Sequence, residues 1–421
     1  MGNERSYLWA ITSNSFQILE LPARKIIEET ARELLRSITA PQRIEGQSSN
    51  DYQAQIETSE KLYREKASSL SQMLFGKLTD QLGNKRLLVV PEGALQYVPF
   101  EALPAPNNPK PLLETHEIVV EPSFSALIAI RNSVVRHASS RDKLVAVIAD
   151  PVLSANDERV QSGPQTALVV TSRKTPEAMT RAVGLSRLAH AAEEADAITA
   201  VAPWGSTMVA KGFDASRETA MSPNIGQYQI VHFATHGFLD SEYPELSGIV
   251  LTMVDPNGVK TNGLMPLNDI YSLDLSAELT VLSACQTALG KDIKGEGLVG
   301  LTHAFMSAGS KSVVASLWKV DDRATAVLMA HFYDAMLQQG MSPAAALRSA
   351  KLKMMQDEHW NAPYYWAGFV LQGEYTNRIS VDHHPWLKTR FVVLSFLIVI
   401  AVTGLLIIYK RRRRIFLRQS N

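Results

Sequence analysis

The 421-residue chain has a single cysteine, Cys285. No disulfide can form within it, and its thiol content does not point to an oxidising compartment. Net charge is also lacking: 42 Lys and Arg balance 42 Asp and Glu, so no overall field draws nucleic acid and no direct nucleic-acid binding is expected. The first residues, "MGNERSYLWAITSNSFQILELP", lack the basic-then-apolar pattern of a signal peptide. No Walker loop, dinucleotide fingerprint or Gly-x-Ser-x-Gly elbow is present, so the usual signatures of NTPases, nicotinamide enzymes and serine α/β hydrolases are missing. His232 and His236 have the i, i+4 spacing of a zinc helix, but Phe233 stands where the metalloprotease motif requires glutamate, and the stretch reads as a strand. No metal and no organic cofactor is implied.

What is there is an alternation of strands and helices. "RSYLWAIT" and "SFQILELP" predict two strands around a turn, and "ARKIIEETARELLRSI" has helical spacing. "KRLLVVPEGALQYVPFEALP" predicts an apolar strand followed by a proline-punctuated loop, and these elements make a first α/β unit over residues 1–138. A second unit, residues 139–373, opens on "DKLVAVIADPVL", a continuous apolar run of the kind buried in a parallel sheet. Residues 152–183 read as a loop. "YQIVHFATHG", "ELTVLSAC" and "KSVVASLW" follow as strands. "GLVGLTHAFMSAG" reads as a helix capped by Gly309, and "SPAAALRSAKLKMM" as one with Ser342 as N-cap and Pro343 in the first turn. The expected fold class is α/β, a mostly parallel sheet with helices on both faces.

Residues 391–409, "FVVLSFLIVIAVTGLLIIY", are apolar and uncharged. At about 1.5 Å per residue they nearly match a hydrocarbon core of roughly 30 Å. The expectation is a C-terminal transmembrane helix, reached through a juxtamembrane linker at 374–390 and followed by a basic tail at 410–421. The chain is then a single-pass protein with the lipid bilayer as a partner. The positive-inside rule places the "KRRRR" tail in the cytoplasm. The missing signal peptide and the free thiol instead favour the second unit on the cytoplasmic face.

His236 and Cys285 each close an apolar strand, and in open α/β sheets functional groups gather beyond the carboxyl ends of strands. An imidazole beside a thiol promotes the nucleophilic thiolate. Two adjacent strand ends would join the pair, although they lie about 50 residues apart in sequence. The N–H groups of Gly237 and Cys285 are candidates for an oxyanion hole. The alternative is a small buried cysteine and a satisfied core histidine.

The stretches "VVPEGALQYVPFEALP", "VHFATHG", "LSACQTALG", "GEGLVGLTHAFMSAG", "VVASLWKVDDRAT" and "PYYWAGFVLQG" resemble the CHAT family, which groups with caspases and separase in clan CD. The resemblance implies a caspase-like fold and a His–Cys dyad, falling on His236 and Cys285. It also implies that residues 1–138 form a pseudo-caspase-like unit without the dyad. "LWKVDD" is similar to the Trp-Asp-Val-Thr-Asp stretch of separase, which implies Trp318, Asp321 and Asp322 near a pocket for a basic P1 residue. Lys319 departs from that pattern and could instead select an acidic P1 residue. Asp321 and Asp322 read equally as a helix N-cap pair. Glu296 and Asp240 stand where they could order loops beside the dyad. The function expected is that of a membrane-anchored cysteine endopeptidase acting on a protein substrate, by family analogy a defence effector such as a gasdermin-like protein. The rival is a catalytically silent scaffold.

Overall fold

The alternating pattern of the first twenty residues folds as a hairpin. β1 (Ser6–Ile11) and β2 (Phe16–Leu21) pair antiparallel, with Trp9 opposite Ile18 and Ile11 opposite Phe16. The computed structural model describes residues 1–40, 48–132, 143–161, 185–238, 247–286 and 297–381, with only the backbone described at 49–50, 284–286 and 297–299. α1 (Arg24–Thr39) buries Ile27, Ala31, Leu34, Leu35 and Ile38 as one apolar stripe. α2 (Ser49–Phe75) starts at Ser48, whose hydroxyl accepts the Asp51 N–H at 3.2 Å. β3 (Leu87–Val89) pairs in parallel with β6 (Ile118–Val120), and β4 (Pro104–Ala105) pairs antiparallel with β5 (Asn108–Pro111). Among the described residues the first unit carries three two-stranded sheets. α3 (Phe124–Asn132) ends its described part.

The apolar runs of the second unit build one eight-stranded sheet from β7 (Val145–Pro151), β8 (Thr207–Gly212), β9 (Ile230–Phe238), β10 (Gly248–Val250), β11 (Leu264–Pro266), β12 (Leu279–Gln286), β13 (Ser312–Ser316) and β14 (Phe369–Gly373). Parallel ladders link β8, β7, β9, β12 and β13 in that spatial order, and β14 closes the sheet antiparallel to β13. β10 and β11 join antiparallel beside the last residues of β9. Every residue of β7 is buried, which is why its sequence is apolar throughout rather than alternating. α4 (Ala191–Val201) and α6 (Asp322–Tyr333) cover one face of the sheet, and α5 (Gly297–Ser307) covers the other. Successive residues of β9 show both faces filled. His232 meets Tyr333 of α6, and Phe233 packs on Phe305 of α5 at 5.5 Å.

The helix ends follow their sequence signals. Ser342 caps α7 (Pro343–Gln356) with Pro343 in its first turn. Gly309 ends the α5 segment at φ 114, and a Cβ there would come within 1.9 Å of the Leu275 carbonyl oxygen. The position therefore admits no side chain.

The expected C-terminal transmembrane helix, and the single-pass membrane localisation built on it, are corrected here. Among the described residues no helix is long and apolar enough to cross a membrane. Residues 391–409 themselves lie outside the described residues. Their apolar composition fixes no tertiary placement.

The first unit meets the main sheet at β14 through buried polar groups. Fully buried Lys351 of α7 forms an ion pair with Glu101 and donates to the Phe369 carbonyl. Burial raises the Glu101 carboxyl above its usual range, and the Lys351 ammonium opposes that. Arg348 donates to the carbonyls of Leu113, Glu114 and His116. Arg131 pairs with Glu374 at 2.7 Å. Glu121 accepts the Gly373 N–H at 2.8 Å, and its other oxygen has no hydrogen-bond partner among the described residues.

The Glu121 carboxyl is pushed up to about 8, chiefly by burial and against the Gly373 bond and the Arg131 charge. Between its ordinary 4.5 and about 8, the folded chain keeps a proton that the unfolded chain releases. The stability from this group is complete below that window and is lost as pH rises through it. Glu121→Gln keeps an acceptor for Gly373 and removes the titration. It should raise Tm at pH 8.5 and leave Tm nearly unchanged at pH 5, as read by scanning calorimetry at both values.

Candidate active site

His236 lies two residues before the end of β9 and is 5% exposed. Its Nε2 is 2.7 Å from the Ser186 carbonyl oxygen. A carbonyl oxygen only accepts, so Nε2 carries the proton and Nδ1 keeps the basic lone pair. Burial lowers the imidazole pKa below its ordinary value. The Ser186 bond opposes this, and the positive charge of Lys319 adds to it. The ring is therefore neutral near pH 7 and able to take a proton.

The ladder between β9 and β12 brings the second residue alongside. Val281 stands opposite His232 and Leu282 opposite Phe233. A register shift follows, after which Ala284 stands opposite His236 and Cys285 opposite Gly237. Such bulges re-aim side chains near functional sites. Both strands run past the reactive residues, to Phe238 and Gln286, rather than ending on them as their sequences suggested. Gly237 is flanked on its other side by Ile249 of β10.

Beneath these positions Ala234 and Ser283 line a cavity of ≈ 20 Å³ together with Leu188, Glu194, Val320 and Asp322. That is room for about one water molecule. The floor is polar. His232 Nδ1 lies 3.0 Å from the Tyr333 hydroxyl, and His232 Nε2 lies 2.8 Å from Glu194 Oε1, at ion-pair distance but off the line of a hydrogen bond. All three side chains are almost completely buried, and burial raises the Tyr333 phenol well above its ordinary range.

The residues expected at a P1 pocket are placed differently. Trp318 is fully buried, donates its indole N–H to the Tyr364 carbonyl at 3.1 Å and lies against Gly368, so it is a core residue. Asp321 caps α6 by accepting the Ala324 N–H at 2.8 Å. Asp322 accepts the His190 N–H at 2.8 Å, just before α4, and burial raises its carboxyl pKa. Lys319 is exposed and close enough to His236 to shift its titration. Asp240 and Glu296 lie outside the described residues. Among the described residues no cluster of three or more potential metal ligands occurs.

Sequence reasoning missed Ser186 and the buried Glu194 and Tyr333, and weighed His232 only for zinc spacing. Ser186 acts through a backbone carbonyl, which every residue has, so no residue type marks it.

The CHAT domain model matches residues 64–374. Tetratricopeptide repeat protein 28 of mouse is 28% identical over 329 residues, and the human protein 26% identical over the same length. Each alignment takes in 69% of this chain and 12% of the relative, so the chain spans about an eighth of the length of these curated relatives. Among solved structures, the Arg-specific cysteine proteinase gingipain R aligns with a TM-score of 0.40 and 10% identity, over 85% of this chain and 75% of its own. Saccharomyces cerevisiae separase in its securin complex aligns with a TM-score of 0.38 and 12% identity, over 88% of this chain and 21% of its own.

The cap assigned to Asp321 has a simple test. Asp321→Ala should cost about 1 kcal/mol through the lost cap, and Asp321→Asn should cost little because asparagine caps equally well. Urea denaturation of both variants reads the difference.

Proposed function

The chain belongs to the CHAT domain family, and on that premise we propose that it is a cysteine endopeptidase in which His236 and Cys285 form the catalytic dyad. One observation carries the reading: the β9–β12 ladder sets Ala284 opposite His236 and Cys285 opposite Gly237, so the two reactive residues stand on adjacent strands one position apart. Ala234 of β9 and Ser283 of β12, just before them in their strands, line one cavity on the side covered by α4 and α6. Neighbouring strands lie about 4.8 Å apart, close enough for an imidazole and a thiol on adjacent strands to meet.

In this reading Nδ1 of His236 takes the thiol proton, and the thiolate adds to the carbonyl carbon of the scissile peptide bond. The N–H groups of Cys285 and Gly237 stabilise the oxyanion that forms. The imidazolium returns its proton to the departing amine as the C–N bond breaks, leaving a thioester. Water activated by the same imidazole then hydrolyses the thioester and frees the thiol. The Ser186 carbonyl holds the ring and favours the imidazolium that forms transiently. The substrate class is a protein or peptide, and the chemistry uses only side chains and backbone of this chain.

Cys285→Ala should abolish peptide-bond cleavage in a peptide-library digest read by mass spectrometry, and should leave the melting temperature within a few degrees of wild type. His236→Ala should lower turnover by several orders of magnitude, as expected for residues that act as one unit. Cleavage by Cys285→Ala at the wild-type rate would rule the dyad out. A wild-type protein that cleaves no library peptide and shows no enhanced thiol reactivity would favour the silent scaffold.

A further inference from the structure

The Ser186 carbonyl that orients His236 belongs to the peptide plane shared with Arg187, and the plane is rigid. Whatever anchors Arg187 therefore aims that carbonyl. The anchor is strong. Arg187 Nε donates to Asp150 Oδ1 at 2.9 Å, and Nη2 donates to Asp150 Oδ2 at 2.8 Å, a two-pronged ion pair. Nη1 reaches Glu158 at 2.7 Å. Asp150 is 4% exposed and stands at the carboxyl end of β7, the strand beside β9. Its backbone has φ 48, the left-handed region, and among the described residues no other non-glycine residue has positive φ. Such a conformation persists where surrounding contacts over-determine it, and it recurs at functional sites. Those contacts are visible: Arg159 donates to the Asp150 carbonyl at 3.0 Å and to its carboxylate at 2.9 Å, and is itself held by Asp157. On the far side of the same short segment, the His190 N–H is held by Asp322.

We infer that Asp150 and Arg187 are positioning residues for the general base, fixing the direction of the Ser186 carbonyl and through it the tautomer and orientation of His236. The inference rests on the dyad reading. Asp322 takes the second end of the segment and has a part in positioning. The charged groups around this unit are Lys319 beside His236, and Glu158, Asp157 and Arg159 around Arg187. Arg187 shares its peptide plane with the Ser186 carbonyl, so the aim of that carbonyl depends on the Arg187 fork.

Because Cys285 is the chain's one cysteine, its reactivity can be followed without a known substrate. Whole-protein mass spectrometry gives the rate of iodoacetamide alkylation from pH 5 to pH 9. The variants are wild type, His236→Ala, Arg187→Ala, Arg187→Lys and Asp150→Asn. Asparagine tolerates positive φ, so the last variant removes the charge without disturbing the backbone. Lysine keeps the charge and loses the fork. His236→Ala should move the apparent thiol pKa up toward the ordinary value of about 8.5. Arg187→Ala and Asp150→Asn should move it in the same direction and slow alkylation at pH 6.5 about tenfold, which is one unit in apparent pKa. Arg187→Lys should fall between Arg187→Ala and wild type. If His236→Ala leaves the profile unchanged, the dyad reading fails and takes this inference with it. If His236→Ala shifts the profile while Asp150→Asn and both Arg187 variants follow wild type, the dyad stands and the positioning role is wrong.

Discussion

The parallel ladder between β9 and β12 is the constraint on which the rest depends. It joins two segments about 50 residues apart and sets them one strand spacing from each other. A slip of one residue would send every side chain of a strand to the opposite face. Here both faces are covered, so a slip would also unseat Phe233 from Phe305 on one side and His232 from Tyr333 on the other. Each large apolar side chain in such a core contributes about 1.5–3 kcal/mol on burial. The register that serves the core is the register that sets Cys285 beside His236 and Gly237.

Polar groups inside the core add definition more than net stability. Glu194, His232 and Tyr333 tie α4, β9 and α6 to one another with almost no solvent exposure. Lys351 and Glu101 do the same between α7 and the first unit. Buried ion pairs seldom out-stabilise apolar packing of equal volume, but leaving one partner unpaired costs about 3–5 kcal/mol. Arrangements that would separate these partners are therefore penalised. The α4 and α6 helices that hold the floor of the cavity are also the ones whose starts are set by Asp322 and Asp321. Packing, polar pairing and site geometry thus converge on the carboxyl ends of β7, β9, β12 and β13.

Much of this was legible in the chain before any coordinates. The apolar runs at Val145, Ile230, Leu279 and Ser312 became strands of one sheet because an all-apolar run is buried on both faces only between covering helices. Ser342, Pro343 and Gly309 marked helix ends because capping is local chemistry, decided within a few residues. The apolar run at 391–409 shows the limit of the same reasoning. Composition states what a segment prefers to bury, and the described helices include none suited to a bilayer. Asp322 shows it at the scale of one residue. An acid after a strand reads as a pocket or a cap, and its bond to the His190 N–H, 132 positions away, belongs to neither reading.

By itself the sequence determined the α/β class, the strands that carry His236 and Cys285, the caps of its helices and the family to which the chain belongs. These depend on side-chain periodicity, local hydrogen bonding and motif order, all of which are properties of contiguous residues. Only the tertiary structure decided that Ser186 orients the histidine, that Asp150 adopts a left-handed backbone to hold Arg187, that Trp318 is core and that Asp322 anchors α4. Those outcomes rest on contacts between distant segments and on backbone groups common to every residue. No linear pattern distinguishes them before the sheet has brought them together.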